Sequence, residues 1–320
     1  MSQDHPQSAV AGRGPGGAAA VSDPEPRAAP PLIRATCWGT RGSIPSPGPA
    51  TARVGGNTSC LEVRTADGRC LIFDAGTGIR MLGRRLTEMG DADHADLFLT
   101  HFHWDHIQGI PFFSPLYDPA HSFRIHGARQ GDTDIQTLFA GQMGPTYFPI
   151  PFEKLAARLE FRHLGDEPWL DGAVEVASLR VRHPSNTHGY RVRMAGRSVA
   201  YVPDNELVGA SYEADHPGWR AQLVDFLRGA DVLLHDAMFT EEEYLEREGW
   251  GHSTFQQAVE LAEEAGVKRL LLFHHAPERT DEELFRIVEE LRDDLARRAS
   301  PLELDIAREG EDHLVLESEP

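Results

Sequence analysis

Residues 99–109, LTHFHWDHIQG, place three histidines and an aspartate within six consecutive positions directly behind the apolar run ADLFL. His101, His103, Asp105 and His106 therefore lie just past an apolar strand, where the chain leaves a sheet and side chains can converge in a cleft. Imidazole and carboxylate together suit zinc, manganese or iron. Positions 101 and 103 put two imidazoles on one side, and Asp105 and His106 can turn toward a second ion. Sixteen histidines in 320 residues make a chance pair easy, but an H-x-H-x-D-H run at a strand end is more than a pair.

The remainder of the chain supplies strands for a layered fold. IRATCW, CLEVRTA, CLIFDAG and ADLFLTH are short apolar or alternating runs broken by PSPGPA and VGGNTS, the pattern of a sheet with tight turns. Between the third and fourth runs, GIRMLGRRLTEMG carries Ile79, Leu82 and Leu86 at helical spacing. Residues 110–168 are rich in Pro and aromatics and predict one or two strands, a short helix over 134–142 and loops that wall a cleft. A second set follows: VEVASLRVRH, GYRVRMAG and RSVAYVPD, then alternating helix and strand to the C-terminus. Strand runs in each half, flanked by helices, predict an α/β fold with two sheets packed between helical layers, an αββα sandwich. No repeat at a fixed period is visible, so residues 32–320 form one expected domain. Residues 1–31, more than half Ala, Gly and Pro, form an expected disordered tail.

A formal net charge of −19 and a pI near 5.2 argue against broad electrostatic capture of a long nucleic acid or an anionic membrane. Bound cations can still reverse the sign locally for a small phosphate substrate. Cys37, Cys60 and Cys70 lie in or beside strand runs without C-x-x-C spacing, which predicts buried reduced thiols. With no secretory signal and no membrane span in the sequence, the expected location is cytoplasmic.

THFHWDH resembles the signature of the metallo-β-lactamase fold, whose members are mostly hydrolases with one or two metal ions. LIFDAGTG and GNTSC fit that fold's first strands, and the resemblance runs from residue 34 onward. RVRHPSNTHGYRV is similar to the segment of the ribonuclease Z and phosphodiesterase branch in which a histidine precedes Gly-Tyr-Arg. It points to His183, at a strand end, over His188, which opens the next strand. SVAYVPDNE offers Asp204 as a carboxylate between two ions, and KRLLLFHH offers His274 rather than His275. The resemblance thus implies one ion on His101, His103 and His183 and another on Asp105, His106 and His274, with Asp204 shared. Asp105 is both ligand and catalytic residue in this reading.

LLHDAMFTEEEY resembles the H-E-A-T segment of the ribonuclease Z group with Asp236 in place of Glu, and GWGHSTFQQA matches its G-H-S-T segment. In that resemblance His252 protonates the leaving oxygen, and Asp236 orients and charges its ring. His252 also precedes a helix that Ser253 or Thr254 caps.

The implied enzyme is a dinuclear, Zn²⁺- or Mn²⁺-dependent phosphodiesterase that hydrolyses a small phosphodiester, a cyclic nucleotide or related cyclic phosphate, through a bridging hydroxide. A ribonuclease Z-like RNA endonuclease is the runner-up. Members of that group carry a tRNA-gripping arm between the positions matching His183 and Asp204, where PSNTHGYRVRMAGRSVAYVP leaves room for a hairpin. A metallo-hydrolase of lactones or thioesters and an iron oxygenase are further alternatives. Homodimers are common among resembling proteins. Asp74 is expected to order a loop, Arg41 to be structural and His235 to be a buried, hydrogen-bonded histidine. His94, His121, His126, His163, His216 and His313 are expected at the surface. The acidic segments TEEEYLERE and DEELFRIVEELRDDLARRA are expected to be solvated helix faces with internal i,i+4 pairs.

Overall fold

The computed structural model describes residues 32–90, 93–165, 167–208 and 216–310, together with the backbone of 312–316. The expected tail, residues 1–31, lies outside the described residues.

Two seven-stranded sheets carry the fold. The first contains β1 (Ile33–Gly39), β2 (Cys60–Thr65), β3 (Cys70–Phe73), β4 (His94–Phe98), β5 (Ser122–Gly127), β6 (Arg158–His163) and β14 (Asp312–Leu316), in the order β14-β1-β2-β3-β4-β5-β6. The second contains β7 (Trp169–Asp171), β8 (Val174–Arg180), β9 (His188–Met194), β10 (Arg197–Val202), β11 (Val232–Asp236), β12 (Arg269–Phe273) and β13 (Glu303–Ile306), in the order β13-β12-β11-β10-β9-β8-β7. Each sheet has an antiparallel half and a parallel half: β3 to β6 run parallel in the first, and β10 to β13 in the second. Helices fill the parallel crossovers, as parallel pairing requires. They include α1 (Ile79–Met89), α2 (Trp104–Ile107), α3 (Ile135–Gly141), α4 (Trp219–Leu227), α5 (Glu241–Tyr244), α6 (Phe255–Glu264) and α7 (Asp281–Arg297).

Strand alternation divides the core into three layers. Leu234, Leu271 and Phe273 point between the sheets beside Phe73, Phe98, Tyr190 and Tyr201. Their neighbours Leu233, Leu270 and Leu272 point outward against α4, α6 and α7. On the opposite face, Ile79, Leu82 and Leu86 of α1 pack on Ile72, Leu97 and Ile125, the stripe their spacing predicts. The result is the expected αββα sandwich.

Burial on both faces also explains one of two misplaced histidines. His121 and His126, expected at the surface, are buried. His126 sits in β5, an interior strand, where Nε2 pairs with Asp96 at 2.8 Å and the ring stacks on Phe98 at 4.3 Å. His94 and His163 are exposed and His216 is half-buried, while the side chain of His313 lies outside the described residues. The three cysteines are buried and free. TEEEYLERE forms only the one-turn α5, and its Glu243 is not merely solvated: it closes a capping box on Thr240 and pairs with Arg279. By contrast, α7 carries the expected Arg286–Glu290 pair.

Leu234 lies wholly buried between the sheets. Leu234→Ala is expected to cost about 2–5 kcal/mol of stability in urea denaturation, and a loss under 1 kcal/mol would contradict this placement of the core.

Candidate active site

The parallel halves of both sheets deliver polar residues at their C-terminal ends, where open α/β sheets form crevices. Asp74 follows β3, the His101–His106 run follows β4, Asp204 follows β10, Asp236 ends β11 and His274 follows β12. His183 lies between β8 and β9. The structure gathers these side chains into one cluster.

Within it, potential ligand atoms of His101, His103 and His183 lie mutually within 4.8 Å, and so do those of Asp105, His106 and His274. Asp204 stands between the two groups: Oδ1 is 3.0 Å from His106 Nε2 and 3.3 Å from His274 Nε2, and Oδ2 is 3.6 Å from His183 Nε2 and 3.8 Å from His101 Nε2. His183 Nε2 lies 3.0 Å from His103 Nδ1. The alternatives fall elsewhere. His275 is buried with Nε2 on the Ala307 carbonyl at 3.2 Å, and His188 opens β9 outside the cluster. His235 is buried, bonded to Asn205 and to the Asp236 carbonyl.

The far ring nitrogens are fixed from behind. His106 Nδ1 donates to Asp74 Oδ2 at 2.7 Å, and His183 Nδ1 donates to the Gly251 carbonyl at 2.9 Å. The Thr100 hydroxyl donates to Asp74 at 2.9 Å, so it accepts from His101 Nδ1 at 3.0 Å. Each bond turns Nε2 toward the cluster, the orientation ligating histidines use.

The donor set fits divalent cations. His101 Nε2, His106 Nε2 and Asp204 Oδ1 are buried and make no hydrogen bond, an arrangement that costs about 1–3 kcal/mol per atom unless another partner satisfies them. Asp74, Asp105, Asp204 and Asp236 are all buried here, a concentration of negative charge that calls for cations. Protonation agrees. Although burial opposes it, the histidines, His106 foremost, hold the Asp105 and Asp204 carboxyls well below the usual range. Burial pushes His101 well down and His183 down to about 4, leaving both rings neutral as ligands must be. At His106 burial is outweighed by Asp204, Asp105 and Asp74, which push its pKa well up, so binding a cation there must displace a proton.

Beside the cluster, His252 Nδ1 donates to Asp236 Oδ2 at 2.7 Å. The shorter carboxylate reaches because β11 ends on Asp236 itself, where the amides of Asn205 and Met238 hold it at 3.2 and 3.1 Å. Burial depresses the His252 pKa, but the Asp236 charge and hydrogen bond prevail and raise it to about 9.

Several supporting residues carried no sequence signal of their own. The Ser43 amide donates to Asp105 Oδ2 at 2.7 Å, and Tyr201 Oη donates to Asp74 Oδ2 at 3.1 Å. Glu206, buried, accepts from Tyr244 Oη and the Gly249 amide, both at 2.7 Å, tying the loop before His252 to the end of β10. Arg41, wholly buried, donates to the carbonyls of Gly55 and Arg279 at 2.8 and 2.6 Å, the structural role expected of it. At Gly251, φ is +92° and a Cβ would fall 2.3 Å from His183 Nδ1, so only glycine fits.

Fold and site together define a metal-dependent hydrolase of the metallo-β-lactamase type. The family model described as Beta-lactamase superfamily domain matches residues 69–275, and the chain belongs to that superfamily. Among its relatives, Ribonuclease BN of Cronobacter sakazakii is 27% identical over 300 residues, covering 80% of this chain and 93% of the relative. Ribonuclease Z of Haloarcula marismortui is 26% identical over 285 residues, covering 76% and 86%. Among solved structures, the metallo-β-lactamase fold protein YhfI of Bacillus subtilis superposes with a TM-score of 0.63 at 20% identity, covering 87% of this chain and 98% of that one. A diphosphatase of the PhnP family gives 0.59 at 20% identity, covering 89% and 100%. Among the described residues no helix is long and apolar enough to cross a membrane.

With a folded pKa above the ordinary 6.5, the His252–Asp236 coupling stabilises the metal-free fold fully below pH 6.5 and is lost as pH rises through about 9. NMR titration of the metal-free protein is expected to place His252 near 9, and Asp236→Asn is expected to lower it, because burial is then opposed only by the more weakly acting Asp204 and Asp105 charges. An unchanged midpoint in that variant would contradict the pairing.

Proposed function

We propose that the protein is a phosphodiesterase that hydrolyses a small diester, a cyclic nucleotide or related cyclic phosphate, with two divalent ions, Zn²⁺ or Mn²⁺. His101, His103 and His183 would hold one, Asp105, His106 and His274 the other, and Asp204 both. Such ions supply Lewis acidity toward phosphoryl oxygens and lower the pKa of water.

The observation that carries the reading is the buried His252–Asp236 pair beside this cluster. A phosphodiester expels an alkoxide, which needs a proton. His252 has Nδ1 engaged by Asp236 and Nε2 left to deliver that proton. A ring nitrogen of His252 lies within 4.8 Å of ligand atoms of His183 and Asp204, close enough to meet a leaving group bound over the cluster. Asp236 keeps the imidazole charged and fixes its plane. Hydrolysis of a lactone or thioester has less need of such an acid.

The relatives named Ribonuclease BN and Ribonuclease Z favour a second reading, an RNA endonuclease. Two features weigh toward a small diester. The segment between His183 and Asp204 is a plain hairpin, β9 turning into β10 through Ala195 and Gly196, both at positive φ, which leaves no arm. A net charge of −19 also disfavours a polyanion.

The metal-loaded protein is expected to open 3′,5′- or 2′,3′-cyclic nucleotides while leaving short RNA intact, as read by chromatography. His252→Ala is expected to retain metal and lose about 10²–10⁴-fold in kcat. Cleavage of RNA with inert cyclic nucleotides would establish the endonuclease instead, and survival of every diester in the loaded protein would overturn both readings.

A further inference from the structure

Three large apolar side chains, each more than half exposed, stand on the segments that build the cluster. Trp104, 63% exposed, lies between His103 and Asp105. Trp250, 60% exposed, precedes Gly251, whose carbonyl holds His183, and His252 follows. Ile44, 58% exposed, follows Ser43, whose amide holds Asp105. A single exposed apolar residue is ordinary, but these three segments converge: Ser43 N is 2.7 Å from Asp105, and His183 Nε2 is 3.0 Å from His103. Arg247 lies 5.9 Å from the Trp250 ring, its guanidinium engaged by the Glu243 carbonyl at 2.9 Å.

The same segments are short of cations. Residues 42–44, 100–109, 183–188, 204–208, 249–254 and 274–276 contain no Lys or Arg. Flanking Arg41 is buried on backbone carbonyls, and flanking Arg182 is buried beside Glu206. Recognition of several phosphates uses Lys and Arg, whereas an exposed indole offers a face on which a planar group stacks.

We propose that Trp104 and Trp250, with Ile44, form an apolar collar that binds a planar aromatic group carried by the substrate, a nucleobase or aryl substituent next to one phosphate. This rests on the phosphodiesterase reading and names its substrate class: a diester with a single charged phosphate and an aromatic flank. In this arrangement the cluster takes the phosphate and the collar sets specificity.

Calorimetric binding of AMP and of ribose 5-phosphate to the Zn²⁺-loaded protein separates the two contributions. The wild type is expected to bind AMP about tenfold tighter or more, the scale of one base stacked on an aromatic. Trp104→Ala and Trp250→Ala, at unchanged zinc content and circular dichroism, are expected to lose most of that preference, and Trp104→Phe to keep it. Equal wild-type affinity for the two ligands, or a preference that survives both alanine substitutions, would overturn the collar. Turnover of the diesters, adenosine 3′,5′- and 2′,3′-cyclic phosphates and short RNA, is scored separately. If all are inert while the AMP preference follows the tryptophans, the collar stands and the phosphodiesterase reading falls.

Discussion

Buried negative charge is the constraint on which the site depends. Asp74, Asp105, Asp204 and Asp236 are removed from water at the ends of parallel strands, and charges so placed persist only when compensated. Histidines supply part of the compensation: His106 lies against Asp74, Asp105 and Asp204, and His252 against Asp236. Backbone amides supply more, from Ser43, Thr100, Asn205 and Met238. The ring nitrogens and the carboxylate oxygen left unbonded point to divalent cations for the remainder.

Holding these groups together requires unusual backbone. Asp74, His274 and Ser43 are non-glycine residues at φ near +60°, a conformation that carries strain and persists where surrounding structure enforces it. Enforcement is visible at each. Asp74 is bonded by Thr100, His106 and Tyr201; His274 is followed by His275, whose amide donates to Thr40 at 3.0 Å; and Ser43 follows Gly42, whose amide donates to the His275 carbonyl at 3.0 Å. Buried Arg41 closes this part by bonding the 40–43 and 276–281 segments together. The sandwich core beneath, with Phe73, Phe98, Tyr201 and Phe273 packed between the sheets, fixes the strand ends from below.

Much of this was legible in the sequence because strand ends leave a local signature. Apolar runs stop where polar residues begin, so ADLFLTHFH, SVAYVPD, LLHD and LLLFHH each announced a strand and a candidate group. What stayed hidden depends on contacts distant in the chain. Ser43 acts through its amide, which any residue provides. Glu206 acts through Tyr244 and Gly249, some forty residues away, and Tyr201 acts through its hydroxyl on Asp74, far from it in the chain. His126 was misplaced because its partner, Asp96, lies on the neighbouring strand, and pairing between strands leaves no mark within either one. Nor did the sequence show that Trp104 and Trp250 stand exposed around one cluster.

The central claim is that this cluster holds two divalent ions with Asp204 between them. The most direct test is an anomalous difference map from crystals of the zinc-loaded protein. Two peaks are expected, one among His101, His103 and His183 and one among Asp105, His106 and His274, with Asp204 touching both. A single peak, or zinc bound away from these residues, would contradict the account.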